Sequence, residues 1–245
     1  MEKKKIKLWK KILMILLVIV IIFAIIFIRR ATILADIDKK VTECENNNKN
    51  FYVKSTYETS KYTMEINRYI KDNVDKLVIE KTNIDGNKAK ITAITYPEER
   101  KVFTEAGDNK VMNVYKEKAA IRGAHMENTT ETSYTIFSNP AYSMSVSERI
   151  INAIGTRIKS VKVDNKDCYE LSSLTNTNFL YDDNTTKMLV YVEKDTGLTL
   201  KIIQEIKENN EKEQETKKFE YKFNQVTDED VKEPDNSEYK LQFNV

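Results

Sequence analysis

Residues 12–28, opening at Ile12 and closing at Ile28, carry no charged or polar side chain. As a helix this run rises about 25 Å at about 1.5 Å per residue, enough for a hydrocarbon core of about 30 Å with slight thinning or snorkelling. A different pattern follows at once. Ile33, Ile37, Val41 and Cys44 recur at helical spacing with Asp36, Asp38, Lys39, Lys40 and Glu43 on the other faces, so the spacing predicts an amphipathic helix ending near Asn46, Asn47 and Asn48. No glycine or proline separates the two stretches, which predicts a nearly continuous helix and a domain standing close to the bilayer.

From residue 51 the period falls to two. The clearest predicted strand covers 61–71, where Tyr62, Met64, Ile66, Arg68 and Ile70 share one face and Lys61, Thr63, Glu65, Asn67 and Lys71 the other. Further strands are predicted over 75–81, 88–96, 100–105 and 110–116, joined by turn residues such as Asp85-Gly86-Asn87 and Gly107-Asp108-Asn109. Such short connections predict an antiparallel meander. Ser145 and Glu148 form a capping box ahead of Val146, Ile150, Ile151, Ile154 and Ile158, which predicts a second amphipathic helix. Alternation then resumes at Met188, Val190 and Val192, continues through Leu198, Leu200, Ile202 and Ile206, and ends at Phe219, Tyr221 and Phe223. Residues 227–245 are charged, contain Pro234 and are expected to pack irregularly along the sheet edge. The fold class is therefore α+β. About ten strands form a strongly curved antiparallel sheet, an unclosed half-barrel covered by an N-terminal and a mid-chain helix, with one transmembrane helix in front. A curled sheet covered by helices encloses an apolar hollow.

Charge orients the anchor. Lys3, Lys4, Lys5, Lys7, Lys10 and Lys11 with Trp9 precede the run, against Arg29 and Arg30 after it, which places the amino terminus inside and the rest of the chain outside the cell membrane. A cleaved secretory signal is the competing reading. The run is long for a signal core and ends in two arginines, and Ala35 has Ile33 two places before it. The first cysteine, Cys44, lies too far on for a lipid anchor. The expected division is 1–30 for tail and anchor and 31–245 for one extracytoplasmic domain. The first 28 residues hold six of the 40 basic and one of the 38 acidic residues, leaving 34 against 37 outside, so nothing favours nucleic acid as a partner. Cys44 and Cys168 either form one bridge or remain two thiols.

Catalytic material is sparse. His125 is the single histidine and sits in a polar stretch that reads as a loop, and there is no G-x-S-x-G, C-x-x-C or phosphate-cradling glycine loop. Asp182-Asp183 reads as a turn. The run from Thr227 through Asp228, Glu229 and Asp230 has oxygen ligands but not calcium-loop spacing. No cofactor and no enzyme activity are expected. Arg68 stands out because alternation sends its guanidinium toward the apolar face. It either binds an acidic group or gates the hollow there, or it snorkels at the rim or pairs with a carboxylate. Tyr62, Met64, Ile66, Arg68, Ile70, Ile150 and Ile154 are the candidate lining of the hollow, and Met64, Met144 and Met188 would add a soft apolar surface.

Residues 191–201, a strand, an Asp195-Thr196-Gly197-Leu198 turn and a second strand, resemble a hairpin of the LolA-like superfamily of lipoprotein carriers and lipoprotein-sorting proteins. The ending Tyr221-Lys222-Phe223-Asn224-Gln225-Val226, followed by Asp228 and Pro234, is similar as well. The resemblance covers roughly residues 31 to 240 and implies an unclosed curved sheet over a hollow that holds acyl chains in the carriers. It also implies a relation to GerS-type germination proteins, partners of a cortex peptidoglycan amidase in spore-forming bacteria, although GerS-type proteins are lipoproteins and this chain lacks their cysteine. The wealth of lysine, asparagine and isoleucine suits a low-GC bacterium with a single membrane. The expectation is a non-catalytic envelope protein that binds a lipid or lipoprotein acyl chain, or a partner protein, through its sheet. A germination or cell-wall-enzyme regulator is the alternative, and a cell-wall hydrolase using a carboxylate pair is a third reading.

Overall fold

The computed structural model describes residues 2–116, 154–173, 185–208 and 211–244. Helix α1 (Glu2–Asn47) is one unbroken element about 70 Å long at about 1.5 Å per residue, so no break marks the boundary expected at residue 30. It is the one described helix long and apolar enough to cross a membrane, and its apolar run is exposed. Asn48 ends it by donating its side-chain amide to the Cys44 carbonyl at 2.7 Å.

Twelve strands follow among the described residues: β1 (Asn50–Glu58), β2 (Tyr62–Lys71), β3 (Val74–Asn83), β4 (Lys88–Thr95), β5 (Arg100–Ala106), β6 (Asn109–Tyr115), β7 (Thr156–Val163), β8 (Lys166–Ser173), β9 (Thr185–Glu193), β10 (Thr199–Glu208), β11 (Glu211–Phe223) and β12 (Lys240–Asn244). They form one unclosed, strongly curved sheet in the order β12-β6-β5-β4-β3-β2-β1-β11-β10-β9-β8-β7. Two local meanders, β1–β6 and β7–β11, are joined where β1 pairs with β11, Phe51 opposite Phe223 and Val53 opposite Tyr221. Asn50 fastens that seam, donating to the Val226 carbonyl and accepting from the Val226 N–H, each at 2.9 Å.

Three expectations change. The final segment does not pack irregularly throughout: after a short 3-10 helix (Asn236–Glu238), β12 adds to β6 as a parallel edge strand. Ile158 is not on a helix but in β7 opposite Leu171, because β-branched and alternating residues let Thr156–Val163 extend beside β8. Among the described residues the sheet has twelve strands rather than about ten. The start of the expected mid-chain helix, with Ser145, Val146, Glu148, Ile150 and Ile151, lies outside the described residues, and Ile154 is 61% exposed.

Opposite faces of the two halves are covered. On one face, called here the helix side, α1 lays Ile37 (2% exposed) and Val41 (0%) on Phe51, Val53, Leu171, Val190, Val192, Ile202 and Phe219. Burying such side chains contributes about 1.5–3 kcal/mol each. The approach is close at Gly197, whose φ of +75° and whose 2.9 Å spacing from a built Cβ to the Ile37 carbonyl leave no room for a side chain. Lys40 donates to the Lys194 carbonyl in the same turn at 2.6 Å. The resembling hairpin thus serves as the dock of α1.

On the other face, residues 227–239 run as a strap over β3–β6. Phe103 and Ile94, both fully buried, lie under it, and Tyr239 meets Phe103 edge-on at 5.2 Å between centroids. Tyr96 donates to Glu233 at 2.9 Å and Tyr239 to Glu105 at 2.7 Å, and Lys101 pairs with Glu233 at 2.7 Å. Burial first, and the neighbouring carboxylate second, push both phenols up to about 12.

Candidate functional site

The register of β2–β6 builds the helix-side surface beyond α1 row by row. Arg68 stands opposite Leu77, Leu77 opposite Ala93, Ala93 opposite Val102 and Val102 opposite Asn113. One row along, Ile66, Ile79, Ile91, Thr104 and Val111 succeed one another, and a third row begins Met64, Lys81, Ala89. Same-face rows lie about 7 Å apart along a strand. This surface continues the α1 core at Ile70, which packs against it, but beyond Ile70 it leaves that core. Met64, Leu77, Ile79, Ile91, Val102 and Val111 are all half-buried.

Of the expected lining, Tyr62, Met64, Ile66, Arg68 and Ile70 therefore share one face of β2 across from β3, with Ile66 buried and the others half-buried. Ile150 and Met144 lie outside the described residues, and Ile154 precedes β7, the edge strand remote from β2–β6, with its carbonyl accepting from Arg30 of α1 at 3.0 Å. Met188 belongs to the α1 core and not to this surface. The sequence reading missed Leu77, Ile79, Ile91 and Val102, though the predicted strands contained all four. Pairing the strands in register would have placed them beside Met64 and Ile66.

A polar row closes one end. Ile70, Asp75, Thr95, Arg100 and Tyr115 are successive cross-strand neighbours. Asp75 takes both arms of Arg68, accepting from Nε at 3.0 Å and from a terminal nitrogen at 2.6 Å. Arg68 thus pairs with a carboxylate, an aspartate seven residues on. Arg100 is 5% exposed, and its Nε has no hydrogen-bond partner among the described residues. Burial, the largest influence, pulls its pKa down, Asp75 and Tyr115 oppose that, and Arg68 adds to it. At the seam with β11, Lys217 stands 3.8 Å from Glu215 and 4.8 Å from the Tyr57 ring centroid.

The strap side carries a groove of about 780 Å³ lined by Lys76, Lys90, Glu105, Glu229, Lys232 and Glu233 among others. Lys76, its pKa lowered by burial, donates to the Lys232 carbonyl at 2.7 Å. The acidic run in the strap is divided among separate partners: Asp228 with Lys71, Glu229 with Lys232, and Asp230 with the N–H and hydroxyl of Thr227. His125 and Asp182-Asp183 lie outside the described residues. Cys44 and Cys168 are both thiols; Cys44 packs against the α1 core, and alternation puts Cys168 on the other face, so they do not form the bridge left open above.

No family model matches the chain, and no curated protein matches it. Solved structures are similar to it in fold. An uncharacterized conserved protein from Thermus thermophilus is 11% identical with a TM-score of 0.42, over 86% of this chain and 97% of that one. MucB in complex with MucA(peri) is 10% identical with a TM-score of 0.34, over 82% of this chain and 60% of that one. A LolA superfamily protein from Nitrosomonas europaea, NE2245, bears the name of the superfamily that the hairpin resembles. It is 13% identical with a TM-score of 0.20, over 82% of this chain and 96% of that one. At such identities and TM-scores, what each of those proteins binds is a property of that protein.

Proposed function

We propose that this chain is a membrane-tethered, non-catalytic module of the cell envelope that holds an acyl chain, of a lipid or a lipoprotein, on the helix-side face of β2–β6. The observation that carries this reading is the half-buried apolar surface of Met64, Leu77, Ile79, Ile91, Val102 and Val111, which continues a sealed core without joining it. A contiguous apolar sheet face that lies beyond the reach of α1 is a candidate binding surface. The long apolar α1 supports a membrane anchor with the domain outside, and the packing of α1 on β7–β11 keeps the domain next to the bilayer.

A hydrolase would need carboxylates free to act as acid and base, but Asp75 on this face is held by Arg68 at both oxygens. The narrower reading, a germination or cell-wall amidase regulator, rests on the sequence resemblance alone. The test is photolysis of a diazirine-bearing palmitate with the full chain in native membranes. Labels are expected on peptides of β3, β4 and β5 containing Leu77, Ile79, Ile91 or Val102. Labelling confined to the apolar run of α1 would overturn the proposal and turn attention to a protein partner.

A further inference from the structure

We infer that Arg100, with Tyr115 beside it, forms a head-group subsite for a single oxyanion, carboxylate or phosphate, so that the molecule held on β2–β6 is an anionic amphiphile; this rests on the acyl-chain reading above. The argument starts from charge. Arg68 and Asp75 cancel one another in a two-armed pair, which leaves Arg100 as the uncompensated cation of the polar row. A guanidinium 5% exposed whose Nε has no partner among the described residues is a costly arrangement for an empty protein. Its planar fork suits an oxyanion better than any neutral group. Among the described groups that act on its charge only Asp75 is a carboxylate, and that carboxylate is already engaged.

Position gives the second half of the argument. Arg100 shares its face and its strand with Val102 and Thr104, and the next rows along are apolar: Leu77, Ala93 and Val102, then Ile66, Ile79 and Ile91. A head group at Arg100 therefore leaves its tail to lie across these rows toward Met64, a path of about 14–20 Å for two to three rows at about 7 Å each. The polarity of the surface, a buried cation at one end of an apolar track whose far row holds Lys81 against the Tyr62 ring at 4.3 Å, matches an amphiphile with one anionic end. The same end carries the Tyr115 phenol as the cross-strand neighbour of Arg100.

The experiment uses the full chain in amphipol and compares radiolabelled palmitate, methyl palmitate and lysophosphatidic acid for the wild type, Arg100→Gln and Arg100→Leu. Wild type is expected to hold palmitate about tenfold or more tighter than the ester, and Arg100→Gln to erase that preference while the ester binds unchanged. Lysophosphatidic acid matching palmitate would identify a general oxyanion site, and palmitate alone a carboxylate site; both support the inference. Equal binding of palmitate and ester by the wild type overturns the head-group subsite and leaves the apolar surface standing. Binding of no probe removes both. A separate readout is the melting temperature of the empty protein, which rises in Arg100→Leu if the cation is uncompensated and falls if it holds the fold together.

Discussion

The two halves of this sheet are covered on opposite faces, and what each leaves bare differs in kind. Around β7–β11 the face away from α1 is the strap side, where half-buried Leu189, Tyr191 and Ile203 stand among ion pairs: Lys159 with Glu170 at 3.3 Å, Lys218 with Glu58 at 3.6 Å, and Lys54 with Glu65 at 2.7 Å near the seam. Around β2–β6 the face that α1 leaves is the helix side, where Met64, Leu77, Ile79, Ile91 and Val102 are half-buried. Exposed ion pairs add little stability, but they keep a bare face soluble and unattractive to other chains. The second half forgoes that protection. A half-buried apolar surface beside a sealed one is what the proposed binding role of β2–β6, and the scaffolding role of β7–β11, rest on.

If that division holds, the largest effects on stability lie under the two covers. Phe103→Ala, beneath the strap, should cost about 3–5 kcal/mol in chemical denaturation, and Ile37→Ala, beneath α1, about 2–5 kcal/mol. Gly197→Ala should cost about 1–3 kcal/mol, because it combines φ of +75° with a Cβ pressed against the Ile37 carbonyl. Ile79→Ala, on the open face, should stay near 1 kcal/mol or below. A loss from Ile79→Ala as large as that from Ile37→Ala would show both surfaces to be sealed alike.

Acid gives a smaller effect and separates the halves. Asp230 is held below the usual carboxylate range chiefly by the Thr227 N–H, and Asp235 chiefly by the Ser237 N–H, both within the strap. A lowered pKa in the folded state brings stability that is complete above the unfolded value and is lost as pH falls through the folded one. Hydrogen-exchange protection in β5 should therefore weaken below about pH 4 before that in β9 does. Simultaneous loss in both strands would count against a separately fastened strap.

Much of this architecture was legible from local pattern. The 3.6 period of Ile33, Ile37 and Val41 and the twofold period of 61–71 report one-sided burial, and turns such as Asp85-Gly86-Asn87 force neighbours to pair. What escaped was non-local or weakly apolar. The β1–β11 seam joins residues more than 150 positions apart, which no period reveals. The β7–β8 hairpin has few large apolar residues, although its Asp164-Asn165 turn, at φ of +48° and +64°, was a readable signal. Ile158 satisfied helical spacing and strand alternation equally, and β8 decided between them. Arg68 announced itself inside an apolar face; Arg100 was read only as the first residue of the predicted strand 100–105, right after Pro97, Glu98 and Glu99. Only the register puts it in one row with Asp75, two strands away across Thr95.

The most direct test is native mass spectrometry of the full chain, gently extracted from membranes, as wild type, Ile79→Glu on the open helix side of β3, and Ile203→Glu on the strap side of β10. The account predicts acyl-chain mass on the wild type and on Ile203→Glu and its loss from Ile79→Glu. Bare protein in all three, or equal retention by Ile79→Glu and wild type, would contradict it.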